Sequence, residues 1–282
     1  MVSGRMGKGG EPAVMSVDME ALFRAVIPFI GRADAADGEI GERLRHMLAP
    51  LVRFDHVVIF AYRGSETPID LYSTFDPDEK VIYVTLYQAG PYLLDPFYHA
   101  ARAARFGVWR MRELAPDRFF SSEYYRSYYM QTRLAEEVGF FIDMGEDVTV
   151  VLSLMRKEAT GSFPAAEFAL LKKAEPLIAT IIRQSFRGLP QRFAANGDRK
   201  TRGRSAENGS HNRAEAVWRD LKLTERETAI IDLVLQGHSS ESIGLKLAIS
   251  TGTVKVHRRN VYRKLGISSQ TQLLSLYLKT FA

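Results

Sequence analysis

The chain has 282 residues, enough for two domains, and its 46% hydrophobic and 25% charged residues are typical of a globular protein. Zero cysteines exclude disulfides, thiolate metal sites and thiol redox chemistry, and the longest apolar run, 57–62, is far too short to span a membrane. Net charge is −4 over the first 186 residues, +4 over 187–212 and +5 over 213–282, so the basic end either binds a polyanion such as nucleic acid or is simply solvated.

The first 186 residues combine helical and strand patterns. Residues 1–16 are rich in glycine and lack periodicity, which predicts a disordered tail, and they do not resemble a secretory signal. Spacing of apolar residues predicts an α+β fold over 17–186, an α-β-α sandwich around an antiparallel sheet. Its strands are predicted over 55–62, 69–75, 107–109, 139–144 and 148–155, and its helices over 17–30, 40–51, 121–138 and 164–186.

Residues 187–212 separate this sandwich from the rest of the chain. They mix Gly, Asn, Ser, Arg and Lys with few apolar residues, which predicts a flexible linker. The remaining residues, 213–282, are predicted to form a small all-α domain.

Helix start and stop signals follow one another in this last part. Thr224 and Glu227 have the spacing of a capping box, so a helix is expected to begin there. Gly237 suits the left-handed backbone at the end of that helix. Candidate caps for the next two helices are Ser239 or Ser240, and Ser250. Two short helices joined by a few residues are the outline of a helix-turn-helix.

The helix predicted after Ser250 has two unlike faces. At 100° per residue its apolar stripe contains Val254, Val261 and Leu265, and its opposite side contains Lys255, Val256, Arg259 and Arg263. Arg258 lies beside the apolar stripe and is expected to reach phosphate rather than bases. Residues 251–265 hold five Lys or Arg and no acid, whereas a solvated surface helix normally mixes signs. Insertion of this helix into the major groove of DNA is therefore the favoured interpretation.

A series of spaced residues runs through the same segment: Leu223-Thr224, Arg226-Glu227, Gly237, Ser239, Ile243, Leu247, Ile249-Ser250, Thr253-Val254-Lys255, His257, Asn260 and Lys264-Leu265-Gly266-Ile267. In order and spacing it resembles the LuxR-type helix-turn-helix of bacterial transcription regulators. The resemblance implies that Lys255, Val256 and Arg259 read bases and that Thr253 and His257 have backbone or structural roles. It also implies a fourth helix for dimerisation, with a stripe of Leu273, Leu274, Tyr277, Leu278 and Phe281.

Aromatic residues are concentrated in the predicted sandwich, which holds 25 of the 30 Phe, Tyr and Trp. Such a sandwich suits an apolar ligand with a few polar anchors. Tyr124 with Tyr128, and Tyr125 with Tyr129, have i,i+4 spacing, for which helix packing is favoured over ligand contact.

Leu94-Asp95-Pro96 at the start of a helix, Trp109, a helix over 119–139 and a strand over 148–155 follow one another as in the signal-binding domain of LuxR-type quorum receptors, which residues 17–186 resemble. The resemblance implies that Asp95 binds the amide of an acyl-homoserine lactone, that Trp109 walls the pocket and that Ser153 bonds a carbonyl.

Two observations qualify this ligand site. Tyr83 and Tyr87 have the four-residue spacing of the family's upstream Trp and Tyr, but they are one residue out of register and neither of them is Trp. We include both in the candidate pocket. Asp95 also suits a helix cap before Pro96, and both roles for Asp95 stay open.

Other protein classes find little support. A phosphorylated receiver domain needs an acidic pair after its first strand, but here that strand leads into Arg63-Gly64. The six histidines lack metal-ligand spacing and no nucleophile arrangement is recognisable, so we expect no enzyme activity, metal or cofactor. We predict a cytoplasmic, homodimeric transcription regulator that binds double-stranded DNA and a small-molecule effector. The alternative is that the sandwich is a ligand-free dimerisation or protein-interaction module.

Overall fold

The computed structural model describes residues 17–30, 35–130, 133–201, 218 and 221–279. The predicted tail, most of the second half of the predicted linker and Phe281 lie outside these residues, as does the side chain of Tyr128. Within the described part, no helix has both the length and the apolar character needed to cross a membrane. The same residues contain no group of three His, Cys, Asp or Glu placed to hold a metal ion.

A five-stranded antiparallel sheet forms the centre of the N-terminal part. Its strands are β1 (His56–Arg63), β2 (Ile69–Ser73), β3 (Gly107–Arg110), β4 (Leu134–Asp143) and β5 (Val148–Lys157). Their order across the sheet is β2-β1-β5-β4-β3, with every neighbouring pair antiparallel. The long strand β5 therefore lies in the middle, and β2 and β3 form the edges.

We number the helices of seven or more residues. They are α1 (Met19–Val26), α2 (Asp37–Leu48), α3 (Pro96–Arg102), α4 (Ala165–Ser185), α5 (Leu189–Thr201), α6 (Glu225–Leu235), α7 (Ser240–Leu247), α8 (Thr251–Leu265) and α9 (Gln270–Lys279). Shorter helical turns cover Ile27–Phe29, Pro77–Lys80, Val81–Leu86, Tyr87–Ala89, Pro91–Leu94, Met111–Leu114, Phe119–Ser121 and Tyr125–Tyr129. Two of these turns, Val81–Leu86 and Tyr125–Tyr129, are π-helical.

Alternate residues of the central strands face two separate apolar cores. Val57 and Ile59 of β1 face one core, which α2, α4 and the start of α5 complete. Val58 and Phe60 face the other core, where α3 and the short turns around it lie. Helices thus cover both faces of the sheet, and the predicted α-β-α sandwich is confirmed.

The position of α3 over the sheet depends on a glycine in β4. Gly139 pairs with Ser153 of β5, and a Cβ at Gly139 would lie 2.7 Å from the ring of Phe97. Without a side chain at Gly139, the Phe97 ring packs directly on the strand. The start of α3, with Asp95 as its cap, is therefore held close to the middle of the sheet.

The predicted helix over 121–138 is right in its first half and wrong in its second. Among the described residues, helical backbone within it covers only 121 and 123–130, including the π-helical turn Tyr125–Tyr129, and β4 already begins at Leu134. The tyrosine spacing resembles a helix because Tyr125 and Tyr129 do stack, with ring centroids 5.7 Å apart. After them, Glu137, Gly139 and Phe141 alternate with residues of the opposite sheet face, which is a strand pattern.

Helix α5 occupies the first half of the predicted linker. Leu189 and Phe193 lie one helical turn apart and are buried against the core on the α4 side of the sheet. The guanidinium of Arg63 lies 5.3 Å from the centroid of the Phe193 ring. Two apolar residues on one helix face are enough to dock this segment, although its overall composition is polar.

The four C-terminal helices share one core, and their predicted caps are confirmed. Thr224 and Glu227 form the capping box of α6, and Ser239 and Ser250 cap α7 and α8. Trp218 is buried at the base of this unit, stacks on Tyr277 and donates a hydrogen bond from Nε1 to Asp232 Oδ1 at 3.1 Å.

The C-terminal helices also contact the sandwich. The backbone N–H of Arg118 donates to the carbonyl oxygen of Gly237 at 2.9 Å. The backbone N–H of Ser239 donates to Asp117 Oδ1 at 2.9 Å. Gly237 has a φ of +94°, and a Cβ there would lie 2.6 Å from the Cα of Phe119. Only glycine therefore fits this contact without displacing backbone.

Candidate functional site

Helix α8 is anchored by one face. Val254 and Val261 are completely buried in the core of the C-terminal unit, and Leu265 is partly buried. The helix begins where Ser250 Oγ accepts the N–H of Thr253 at 3.0 Å, and it ends at Gly266 with a φ of +64°. Both ends of the helix are thus fixed by local hydrogen bonding and backbone conformation.

The opposite face of α8 is exposed and cationic. This face carries the three predicted base-reading side chains, Lys255, Val256 and Arg259. It also carries Arg263, a further predicted DNA contact. Val256 keeps 46% of its surface exposed, although it is apolar. An exposed face with three cations and one small apolar residue can contact phosphates, base edges and thymine methyl groups.

The remaining predicted DNA contacts lie at the border of this face. Arg258 is half-buried, and its Nη1 donates to Ser240 Oγ at the start of α7 at 3.2 Å. Thr253 is exposed, and its hydroxyl is 2.8 Å from that of Ser250. His257 is half-buried.

A buried glutamate joins α8 to α6. Lys264 Nζ donates to Glu227 Oε2 at 2.7 Å, and that same oxygen accepts the N–H of Thr224 at 2.9 Å. Burial alone would raise the pKa of Glu227, but the hydrogen bonds from Lys264 and Thr224 together lower it. The ionised carboxylate therefore holds the C-terminal end of α8 against the start of α6.

The apolar stripe of α9 is covered within the chain. Leu273, Leu274 and Tyr277 are buried in the core of the C-terminal unit, and only Leu278 of the described stripe is partly exposed. Gln270 Nε2 also donates to the carbonyl oxygen of Val234 in α6 at 3.0 Å. In the structure these side chains stabilise the C-terminal unit itself.

A cavity lies in the sandwich between the sheet and the α3 side. Its free volume is about 50 Å³, which is room for about three water molecules. Sheet residues Phe60, Val151 and Ser153 form its floor, and both π-helical turns contribute a tyrosine, Tyr83 and Tyr129.

Asp95 is both a helix cap and a cavity residue. Its Oδ1 accepts the N–H of Phe97 at 2.8 Å, and its Oδ2 accepts the hydroxyl of Tyr87 at 2.7 Å. The Tyr87 hydroxyl is in turn 2.9 Å from that of Tyr62. Burial raises the pKa of Asp95 to about 6, against the effect of hydrogen bonds from Phe97, Tyr87 and Tyr129. The two roles predicted for Asp95 are thus compatible.

Glu137 is a second buried acid in the cavity, and the sequence analysis missed it. Its Oε2 is buried and has no hydrogen-bond partner within the described structure. Burial, followed by the charge of Asp95, raises the pKa of Glu137 to about 8, although a hydrogen bond from Ser153 lowers it. The predicted helix over 121–138 extends wrongly into β4 and hid this residue, whereas a strand pattern there would have placed Glu137 on the same face as Gly139.

The more exposed end of the cavity carries charge. Lys157 Nζ donates to Glu79 Oε1 at 3.0 Å, and His56 Nε2 lies 3.9 Å from the same oxygen. Burial and the charge of Lys157 lower the pKa of His56, so the imidazole is neutral at pH 7. The cation at this end is therefore already paired with Glu79.

Four of the five predicted ligand residues line the cavity, namely Tyr83, Tyr87, Asp95 and Ser153. Trp109 is not among the described lining residues. It lies on the edge strand β3, where its Nε1 donates to the carbonyl oxygen of Phe106 at 3.1 Å and the guanidinium of Arg105 lies 4.8 Å from its ring. The order of residues along the chain does not show that Trp109 packs against Phe106 and Arg105 and not against the cavity.

Comparison with known proteins identifies the family. The model for bacterial regulatory proteins of the luxR family matches residues 221–277, which span α6 to α9. A protein of Aeromonas salmonicida named "Putative HTH-type transcriptional regulator in exeN 3'region" is 31% identical over 185 residues, covering 65% of this chain and 93% of that protein. The chain belongs to the LuxR family of bacterial regulatory proteins.

This LuxR-family protein is a DNA-binding transcription regulator, as the resemblance of its C-terminal part predicts. Two solved structures are similar to it. The LBD domain of VqsR from Pseudomonas aeruginosa is 22% identical with a TM-score of 0.45, covering 59% of this chain and 90% of that chain. SdiA from Escherichia coli is 16% identical with a TM-score of 0.39, covering 93% of this chain and 97% of that chain.

Proposed function

We propose that a small-molecule effector bound in the sandwich cavity controls how this LuxR-family regulator binds DNA. The observation that carries the proposal is the buried acid Asp95, which lines a cavity among tyrosine hydroxyls. Burying a carboxyl group is unfavourable unless it serves stability or binding, and a cap on a seven-residue helix needs no cavity beside it. An apolar site with a few convergent polar groups is the usual form of a small-molecule site.

The proposal divides the chain by role: residues 17–186 sense the effector, 187–212 connect and 213–282 bind DNA. On α8, Lys255, Val256 and Arg259 read bases, and Arg263, Arg258 and Thr253 contact the backbone or its immediate surroundings. The exposure of the first three side chains on one face supports this assignment. A protein with this role acts in the cytoplasm, where the bacterial chromosome is.

We further propose that the regulator is a homodimer. A stripe of exposed apolar side chains runs along α1 and the turn that follows it, formed by Met19, Phe23, Ile27 and Ile30. Their exposed fractions range from 49% to 71%, which is unusual for four apolar residues on one side of a helix. A second copy of the stripe is an apolar partner of matching shape, because a two-fold interface brings the same patch from both chains together.

One experiment tests effector control as a whole. The full chain is purified from its own host, and native mass spectrometry measures any small molecule that it retains. We expect one such molecule per chain, and we expect the affinity for operator DNA to change when the molecule is extracted and to recover when it is added back. An effector acts only through its different affinity for the two states of the protein, so either sign of the change fits.

The contrary result separates the alternative function. A chain that retains nothing and binds DNA equally before and after extraction has no effector. The apolar stripe on α1 would then favour the sandwich as a dimerisation or protein-interaction module.

A further inference from the structure

The cavity contains two buried acids, and only one of them has hydrogen-bond partners on both of its carboxyl oxygens. Asp95 accepts hydrogen bonds from Phe97 and Tyr87, but Oε2 of Glu137 accepts none within the described structure. Glu137 is only 6% exposed, and it lines the same cavity as Asp95. A buried polar atom without a partner is rare in folded proteins, and at the wall of a cavity it marks a position that a ligand atom can fill.

The basic residues of the neighbouring strands do not supply that partner. Lys157 lines the cavity, but its Nζ is paired with Glu79 at 3.0 Å. Arg110 is buried on the opposite face of the sheet, where it is paired with Glu136 at 2.5 Å. Among the described lining residues, the two acids therefore have tyrosine hydroxyls, a serine and apolar groups around them, and the charge of Lys157 is already paired with Glu79.

We propose that the effector carries a protonated amine, which lies between Asp95 and Glu137, and an apolar remainder, which packs against Phe60, Phe97 and Val151. This inference rests on the proposed function and names the chemical class of its effector. An ammonium group has only donors, and the two carboxylates offer only acceptors. It is about the size of a water molecule, so the head group fits the existing free volume of about 50 Å³.

Binding of such an amine depends on pH. Burial and the charge of Asp95 raise the pKa of Glu137 to about 8, so Glu137 holds a proton at pH 7 in the empty cavity. The ammonium binds the carboxylate form and expels this proton. Affinity therefore rises by up to about tenfold per pH unit between pH 6, near the pKa of Asp95, and pH 8, and it levels off above pH 8. The other titratable groups that line the cavity are His56, Tyr62, Glu79, Tyr83, Tyr87, Asp95, Tyr129 and Lys157.

The test compares octylamine with octan-1-ol, two probes of nearly the same size and shape, on the full chain by isothermal titration calorimetry. At pH 8 the wild type is expected to bind octylamine at least about tenfold more tightly, because hydrogen bonds to charged groups exceed neutral ones by that amount. Glu137→Gln removes the preference while octan-1-ol binding is kept. Glu79→Gln, which changes the other glutamate of the cavity, leaves the preference intact.

Three results overturn the inference: equal binding of the two probes by the wild type, a preference that survives Glu137→Gln, or no binding of octylamine. The pH profile of the wild type decides the matter if the Glu137 variant does not fold, because a flat profile between pH 6 and 8 also refutes it. DNA binding by the same preparation is measured separately. A chain whose DNA affinity responds to octan-1-ol but that does not prefer octylamine keeps the proposed function and lacks only the amine specificity.

Discussion

Replacing Gly237 with alanine tests the contact between the sandwich and the C-terminal helices. Gly237 lies in the turn after α6 and has a φ of +94°. Because it lacks a Cβ, it leaves room for the backbone of Phe119. Gly266 provides a matched control in the same unit. It also has a positive φ, +64°, but nothing lies within 4 Å of a Cβ built there. Both substitutions strain the backbone, and only the first meets the sandwich.

The size of the effect follows from the distances. A carbon 2.6 Å from the Cα of Phe119 must move to about 3.5 Å, the closest comfortable distance between carbon atoms. The hydrogen bonds from Arg118 to Gly237 and from Ser239 to Asp117, both 2.9 Å, then stretch to about 3.8 Å and are lost. At about 0.5 to 1.5 kcal/mol each, the contact weakens by roughly 1 to 3 kcal/mol, or about 5- to 150-fold.

Small-angle X-ray scattering of the full-length variants measures this loss directly. We expect Gly237→Ala to have a larger radius of gyration than the wild type, because the C-terminal unit detaches from the sandwich. Gly266→Ala should lose about 1 to 2 kcal/mol of unfolding free energy through its backbone conformation while its radius of gyration is unchanged. Circular dichroism checks that both variants keep their helices. Equal radii for Gly237→Ala and the wild type would refute the role of this contact.

Three further outcomes are expected. Arg259→Ala should relax the sequence preference for DNA and cost roughly 1 to 3 kcal/mol of binding free energy, whereas Arg258→Ala should weaken binding to all sequences about equally. Footprints with the reverse pattern would contradict our assignment of the α8 faces. Because the pKa of Glu137 is raised in the folded chain to about 8, the unfolding free energy should fall as pH rises from 4.5 to 8. Denaturant unfolding of Glu137→Gln should show a smaller fall in unfolding free energy over the same pH range. Phe23→Glu, at a site that is 63% exposed, should yield monomers in light-scattering measurements without loss of stability; a dimer that persists would exclude the α1 stripe as its interface.

The C-terminal unit was the most predictable part of the molecule, because its signals are local. Thr224, Ser239 and Ser250 cap helices through bonds to residues three positions away, so the sequence around each cap contains the whole interaction. The two faces of α8 follow in the same way from a fixed angle per residue.

The cavity was less predictable, because its walls come from distant elements. Asp95 and Ser153 were found through the family resemblance, but Glu137 was missed because tyrosine spacing extended a false helix over β4. Trp109 was expected in the wall, yet the direction of a side chain on an edge strand depends on neighbours such as Arg105. Helix α5 was missed for the same reason. Leu189 and Phe193 dock this polar segment only because the fold supplies an apolar core against which they can be buried.

The two π-helical turns at the cavity have a kinetic consequence. Each turn carries a cavity tyrosine, Tyr83 or Tyr129, and the rings leave only about 50 Å³ free. A ligand with an octyl chain needs more room than this, so we expect lining side chains to move before it enters and its association rate to be set by that opening, below the diffusional range. At high ligand concentration that rate should reach a plateau. The same barrier slows departure, so a bound effector would persist through a brief fall in its supply.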